Sequence, residues 1–128
     1  MSGARKRFVA LLLIAAALSL AVIRGGGAEE NASAGAALFA DRCAGCHGRD
    51  GRGGGIGIPL LALVRGAGRP VDFTDARVME GWPQERVALV IREGGGAVGG
   101  STLMPAYESR LSAAEIADLA AFIRSLSR

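Results

Sequence analysis

Apolar positions along this chain fall into one almost uninterrupted block near its start and three later stripes of helical period. The last stripe is the clearest: Ile116, Leu119, Ala120 and Ile123 follow the i, i+3, i+4, i+7 spacing of a single helix face, widened by Phe122 and Leu126. Ser112-Ala113-Ala114-Glu115 has the pattern of a capping box, so this helix is predicted to begin after Ser112. A second stripe, Val87, Val90 and Ile91, follows Trp82-Pro83 and stops at Gly94; proline is tolerated at a first helical position and glycine suits a helix end. A third helix is predicted from Ala34 to about Cys43, with Ser33 as its cap and with Gly35 and Phe39, four apart, on one face. No run alternates as a strand would and no segment repeats, so the fold class is all-α, three main helices joined by glycine-rich segments. Two of those segments, Gly48 to Gly57 and Gly94 to Gly100, are too rich in glycine for regular structure. Loops of that length in so short a domain point to a ligand against which they pack.

The early block is of another kind. Phe8 to Ile23 is a 16-residue apolar run with Arg5, Lys6 and Arg7 before it and Arg24 with Gly25-Gly26-Gly27-Ala28 after it. A basic front, an apolar centre and small residues at the end make an export signal, with cleavage after Ala28 the first choice and a site near Ser19 and Ala21 a poorer one. The alternative is an uncleaved anchor, since 16 residues fall short of the roughly 20 that span a bilayer but thinning and snorkelling can close the gap. Either way the basic residues stay cytoplasmic and the rest crosses the membrane. The expected organisation is therefore residues 1–28 as signal peptide or N-terminal anchor and 29–128 as one domain, outside the cytoplasm.

Charge changes the picture once this division is made. The whole chain of 128 residues carries 15 Lys+Arg against 12 Asp+Glu, but four of the bases and none of the acids precede Ala28. The domain is left with no basic face of the kind that phosphate binding requires, and no nucleic-acid partner is expected. It also contains no lysine. Of six aromatics in the chain, Phe39, Phe73, Trp82, Tyr107 and Phe122 lie in the domain. A domain of this size so poor in rings calls for something besides its own side chains to complete a core.

Cys43-Ala44-Gly45-Cys46-His47 contains both cysteines and the only histidine of the chain. Cys-x-x-Cys-His is the attachment signal of c-type haem. Two thiols reach the two vinyl groups on one edge of the macrocycle, and the next residue turns its imidazole under the iron; Cys43 and His47, four apart, share a helix face. Three other chemistries use similar residues. Structural zinc takes about four protein ligands where this motif has three at most, a thioredoxin-like pair expects a βαβ setting, and a plain disulfide leaves the adjacent histidine unexplained.

From about Ala34 to Ser127 the chain resembles the small single-haem class I cytochrome c domains, and with its leader the exported bacterial c-type cytochromes. The resemblance is carried by the motif at 43 to 47, by Leu103-Met104-Pro105-Ala106-Tyr107 and by the closing helix Glu115 to Ile123, in that order. It implies a cytochrome c-like fold around one covalently attached haem c, held by Cys43 and Cys46 through thioethers, with its iron between His47 and Met104. A neutral, polarizable thioether on a loop suits that second axial position and favours reduced iron. Met79 is the other methionine of the domain and fits a core filler better. By the same resemblance Ile56 to Leu60 is similar to the segment whose proline carbonyl accepts a hydrogen bond from the axial imidazole, which makes Pro59 a residue behind the ligand; Ile58 stands where a glycine is common. Gly35 and Phe39 match a close crossing of the first and last helices, with Leu119 and Phe122 as partners. Arg65, Arg69 and Trp82 are candidate donors to the haem propionates.

Iron with both axial positions filled has no open site, which disfavours substrate and oxygen chemistry and leaves one-electron transfer. The expectation is an electron carrier and not itself an enzyme, exchanging electrons with redox partner proteins in the periplasm, either free or tethered to the inner membrane. Two further readings stand beside it: a haem c subunit of a periplasmic or membrane-bound dehydrogenase or oxidase, and a gas-binding sensor in which Met104 leaves the iron. Without lysine, docking must rely on arginine or on apolar contacts.

Overall fold

The computed structural model describes residues 29–66 and 68–127. The expected leader, 1–28, and its cleavage point lie outside the described residues. The chain divides into two units, Met1–Asn31 and Ala32–Arg128. The described residues of the second unit form helices and no strand: α1, which in this unit runs over 32–42; α2, Ala44–His47; α3, Ile58–Arg65; α4, Ala76–Met79; α5, Gln84–Glu93; and α6, Ala113–Ser125, with a 3-10 turn at Gly95–Val98 between the last two. Among the described residues no helix is long and apolar enough to cross a membrane.

α6 starts as its sequence predicts. The Ser112 hydroxyl accepts from the Glu115 amide, and the Glu115 carboxylate accepts from the Ser112 amide at 2.8 Å, so two amides at the helix start are satisfied reciprocally. Its stripe Ile116, Leu119, Ala120 and Ile123 is buried against Val87 and Ile91 of α5. Pro83 is the residue before α5 and not its first helical position, a shift of one residue that leaves the stripe unchanged.

The crossing of α1 with α6 rests on absent atoms. A Cβ on Gly35 would fall on the Asp118 carbonyl oxygen and within 2.8 Å of the Phe122 Cβ, so only glycine lets these backbones meet. One turn on, Phe39 is 2% exposed and its ring lies 5.5 Å from that of Phe122. Met79, Leu111 and Ala44 complete the core around these residues.

Three expectations are corrected. Ser33 lies within a stretch that is already helical at 29–32, so it is not the cap of α1. From Ile58 on the chain is not an irregular connection between the three predicted helices but the helix α3, which the sequence hides because its apolar residues run together without helical spacing; Leu, Ala and Arg favour helix, and Pro59 sits in the first turn where its missing N–H costs nothing. Gly94 to Gly100 is not wholly irregular, since Gly95–Val98 forms the 3-10 turn. α4 is not among the predicted helices either; it is one turn, capped by the Asp75 carboxylate, which accepts from the Arg77 and Val78 amides.

Candidate functional site

α1 carries its hydrogen bonding past its own end into the cysteine motif. The Cys43 amide donates to Phe39 at 2.9 Å, and the Cys43 carbonyl accepts from Cys46 at 3.1 Å and from His47 at 2.9 Å. Cys43 departs from ideal helix geometry and α2 follows at once, which sets both thiols and the imidazole along one turn of chain anchored to the buried Phe39. No bond joins Cys43 to Cys46. Burial, and to a lesser degree the neighbouring Cys46, push the Cys43 thiol up to about 11. Among the described residues no group of three His, Cys, Asp or Glu side chains is placed to hold a metal ion.

The His47 ring stacks on Phe73 with centroids 4.8 Å apart and planes 19° from parallel. Phe73 is itself edge-on to Phe39 at 6.3 Å, and its amide donates to Gly51 at 2.8 Å. Burial lowers the basicity of His47, so the imidazole is held neutral, the form that can donate a lone pair to a metal. Its Nδ1 is buried and has no hydrogen-bond partner. Pro59 is exposed in the first turn of α3, and no hydrogen bond joins it to His47.

The methionine segment is fixed from the other side. The Gly95 amide donates to the Met104 carbonyl at 3.1 Å, and a Cβ on Gly95 would strike the Ser101 carbonyl oxygen, so the 3-10 turn and the methionine loop touch backbone to backbone. Three residues on, the Tyr107 amide donates to the last carbonyls of α5, Ile91 at 3.0 Å and Arg92 at 3.1 Å. The Tyr107 hydroxyl reaches across to the Arg42 carbonyl at 3.1 Å, beside Cys43.

Between these two walls lies a cavity of about 300 Å³, lined by Cys43, Cys46 and His47 on one side and by Leu103, Met104 and Tyr107 on the other. A smaller recess of about 80 Å³ continues from His47 and Met104 toward Met79 and Val87. Met79 lines only this recess, is 1% exposed and has its carbonyl fixed by Arg124 at 2.6 Å, as a core residue would be. Of the proposed propionate donors, Arg69 and Trp82 line the large cavity and Arg65 does not. Arg69 donates to the Arg52 carbonyl at 2.9 Å, and the Arg86 guanidinium lies 4.4 Å above the Trp82 ring.

An apolar cavity with two thiols, a neutral imidazole whose buried ring nitrogen has no partner, and a thioether suits covalently bound haem in each of its parts. Sequence reasoning finds the cysteines, His47 and Met104. It misses Phe73 and the two-sided role of Tyr107; nothing in the spacing marks Phe73, whereas the tyrosine three residues after the methionine is visible but suggests no more than bulk.

Comparison with known proteins agrees with the geometry. The chain is similar in structure to the KustC0563 c-type cytochrome, with a TM-score of 0.56 and 26% sequence identity, over 73% of this chain and 98% of that one. The family model described as Cytochrome c matches residues 32–127. That match takes in both walls of the cavity and the helices that carry them, and the chain belongs to the cytochrome c family, whose members hold covalently bound haem c and transfer electrons.

Proposed function

We propose that this protein is a one-electron carrier working outside the cytoplasm, with His47 and Met104 as the two axial iron ligands. One observation carries the reading: the large cavity that receives Cys43, Cys46 and His47 is lined by Met104 and not by Met79. Covalent haem supplies a one-electron iron couple. Cys43 and Cys46 keep that group from dissociating. His47, neutral and stacked on Phe73, offers one nitrogen in a fixed plane, and Met104 offers a thioether from a loop tied to the end of α5. Held by backbone hydrogen bonds, His47 and Met104 would keep their positions when the bound group changes charge. The cavity lining contains no carboxylate, and its one histidine is the residue assigned to the iron.

The export pattern of residues 8–28 supports a periplasmic location, free or tethered, with redox proteins as donor and acceptor. The test is absorption spectroscopy of the oxidised and reduced full chain, produced in a host that attaches c-type haem, with and without carbon monoxide. Low-spin spectra with a thioether-to-iron charge-transfer band and no response to carbon monoxide are expected. A high-spin, gas-binding protein would instead be a sensor, and copurification in fixed ratio with a dehydrogenase or oxidase would make it a subunit.

A further inference from the structure

Neither the core nor the cavity uses the outer face of α3. The helix buries no residue. Ile58 and Leu61, three apart, line the large cavity. Leu60, Leu63 and Val64, spaced i, i+3, i+4, form a second stripe on a different face and are 64%, 84% and 61% exposed. Ile56, just before the helix, is 93% exposed. A group that fills the cavity covers the first stripe and leaves the second in water. Single exposed apolar residues are ordinary, but four within nine positions make a patch of the kind that marks a docking surface.

The charge within the segment that carries the patch is of one sign. From Gly51 to Val71 there are three arginines, Arg52, Arg65 and Arg69, and no acid, whereas the rest of 29–128 holds eight arginines against twelve acids. Asp50 and Asp72 bound the stretch, Asp50 lying 3.7 Å from Arg52 and Asp72 interacting with Arg52 and Arg69, so the cation that stands next to the patch is Arg65, in the last turn of α3. A cationic, apolar segment on an otherwise acidic domain selects a partner of opposite sign.

We propose that the exposed face of α3 is where a protein electron donor or acceptor docks, and that this partner presents an apolar patch fringed by carboxylates. The proposal rests on the carrier reading. A helix with its side chains is about 10 Å across, so a partner seated on Leu60, Leu63 and Val64 stands about one helix thickness from the cavity. A second copy of this chain fits less well, because it would bring two arginine-bearing segments together. A lipid surface fits less well too: adsorption scales with buried apolar area, which four side chains supply poorly, whereas a few anchors carry most of a protein interface.

The experiment uses the oxidised full-chain holoprotein and its Leu60→Ser/Leu63→Ser variant, reduced by two probes in stopped flow. One is free reduced lumiflavin, too small to need docking; the other is reduced flavodoxin, an acidic flavoprotein, each molecule of which gives one electron to one oxidised iron. The variant is expected to lower the flavodoxin rate constant about tenfold at low salt, with the lumiflavin rate unchanged. Parent and variant rates with flavodoxin should both fall as salt rises, because the arginines remain. Both leucines are exposed, so the core is untouched, and unchanged circular dichroism checks this. A flavodoxin rate within twofold of the parent overturns the proposal. So does an unchanged flavodoxin rate with lost binding to vesicles of phosphatidylglycerol and phosphatidylcholine, which assigns the face to lipid. Failure of lumiflavin to reduce the parent would strike the carrier reading instead.

Discussion

Tyr107 donates its hydroxyl to the Arg42 carbonyl at 3.1 Å, and by this bond the loop that bears Met104 is tied to the chain that bears Cys43. The two residues are 65 positions apart. The amide of the same tyrosine is held by α5, so one residue links both walls of the cavity and the helix behind them. Tyr107→Phe keeps the ring and removes only the bond, and is expected to cost about 1 kcal/mol. Denaturant unfolding of the holoprotein should show a lower midpoint with an unchanged slope. If this bond also sets the spacing of the walls, the thioether-to-iron band should fade at a lower temperature in the variant than in the parent; an unchanged fading temperature would limit Tyr107 to stability.

Gly35→Ala places a Cβ on the Asp118 carbonyl oxygen, and backbone cannot move aside as a side chain could. The variant is expected to lose about 2 kcal/mol or more, at the upper part of the range for overpacking, because α1 and α6 must separate and Phe39 then loses contact with Phe122. Gly54→Ala is the control, as nothing lies within 4 Å of a Cβ there. Equal thermal midpoints for the two variants would refute the close crossing.

The capping box of α6 gives a pH dependence. Hydrogen bonds from the Ser112 amide and hydroxyl hold the Glu115 carboxyl below its ordinary value of 4.5. A depressed carboxylate stabilises the fold in its ionised form, so the contribution is complete above about 4.5, the unfolded value, and is lost as pH falls through the lower folded value. The stability gap between parent and Glu115→Gln should therefore be constant from pH 7 to 5 and should narrow below 4.5. A gap that widens in acid would mean that the carboxylate is not the stabilising form.

How much can be read from residues alone depends on where the determining contact lies. The box at Ser112 and Glu115 is local, and so is the stripe at Ile116, Leu119 and Ile123; both stand in the structure as the sequence has them. The cysteine motif is legible because its chemistry demands adjacent residues. α3 is not legible, because a run such as Leu60-Leu61-Ala62-Leu63-Val64 has no periodicity to show which face turns inward, and in the structure none of its residues is buried. Ser33 misleads for the opposite reason: a good cap residue tolerates a helix interior when the helix begins earlier. Phe73 beside His47 and Tyr107 beside Arg42 are contacts between distant segments, and no spacing records them.

The two methionines of the domain separate the ligand role from the core role. Met104 stands on the cavity wall with its carbonyl held by Gly95; Met79 is 1% exposed among Phe39, Val87 and Ile123, with no side of it on the large cavity. Met79→Leu conserves volume and polarity, so it should cost under about 1.5 kcal/mol and leave the visible spectrum as it is. Met104→Leu should do the reverse. It is half-buried on a loop, so its loss should change the unfolding of the haem-free chain little, while the holoprotein loses the thioether-to-iron band and begins to bind carbon monoxide. Because a thioether favours reduced iron, the reduction potential of Met104→Leu should also drop. Spectra, gas titration and potentiometry of the two variants together decide the assignment. A carbon monoxide response in Met79→Leu and none in Met104→Leu would exchange the roles of the two residues, and would mean that the smaller recess, not the large cavity, faces the iron.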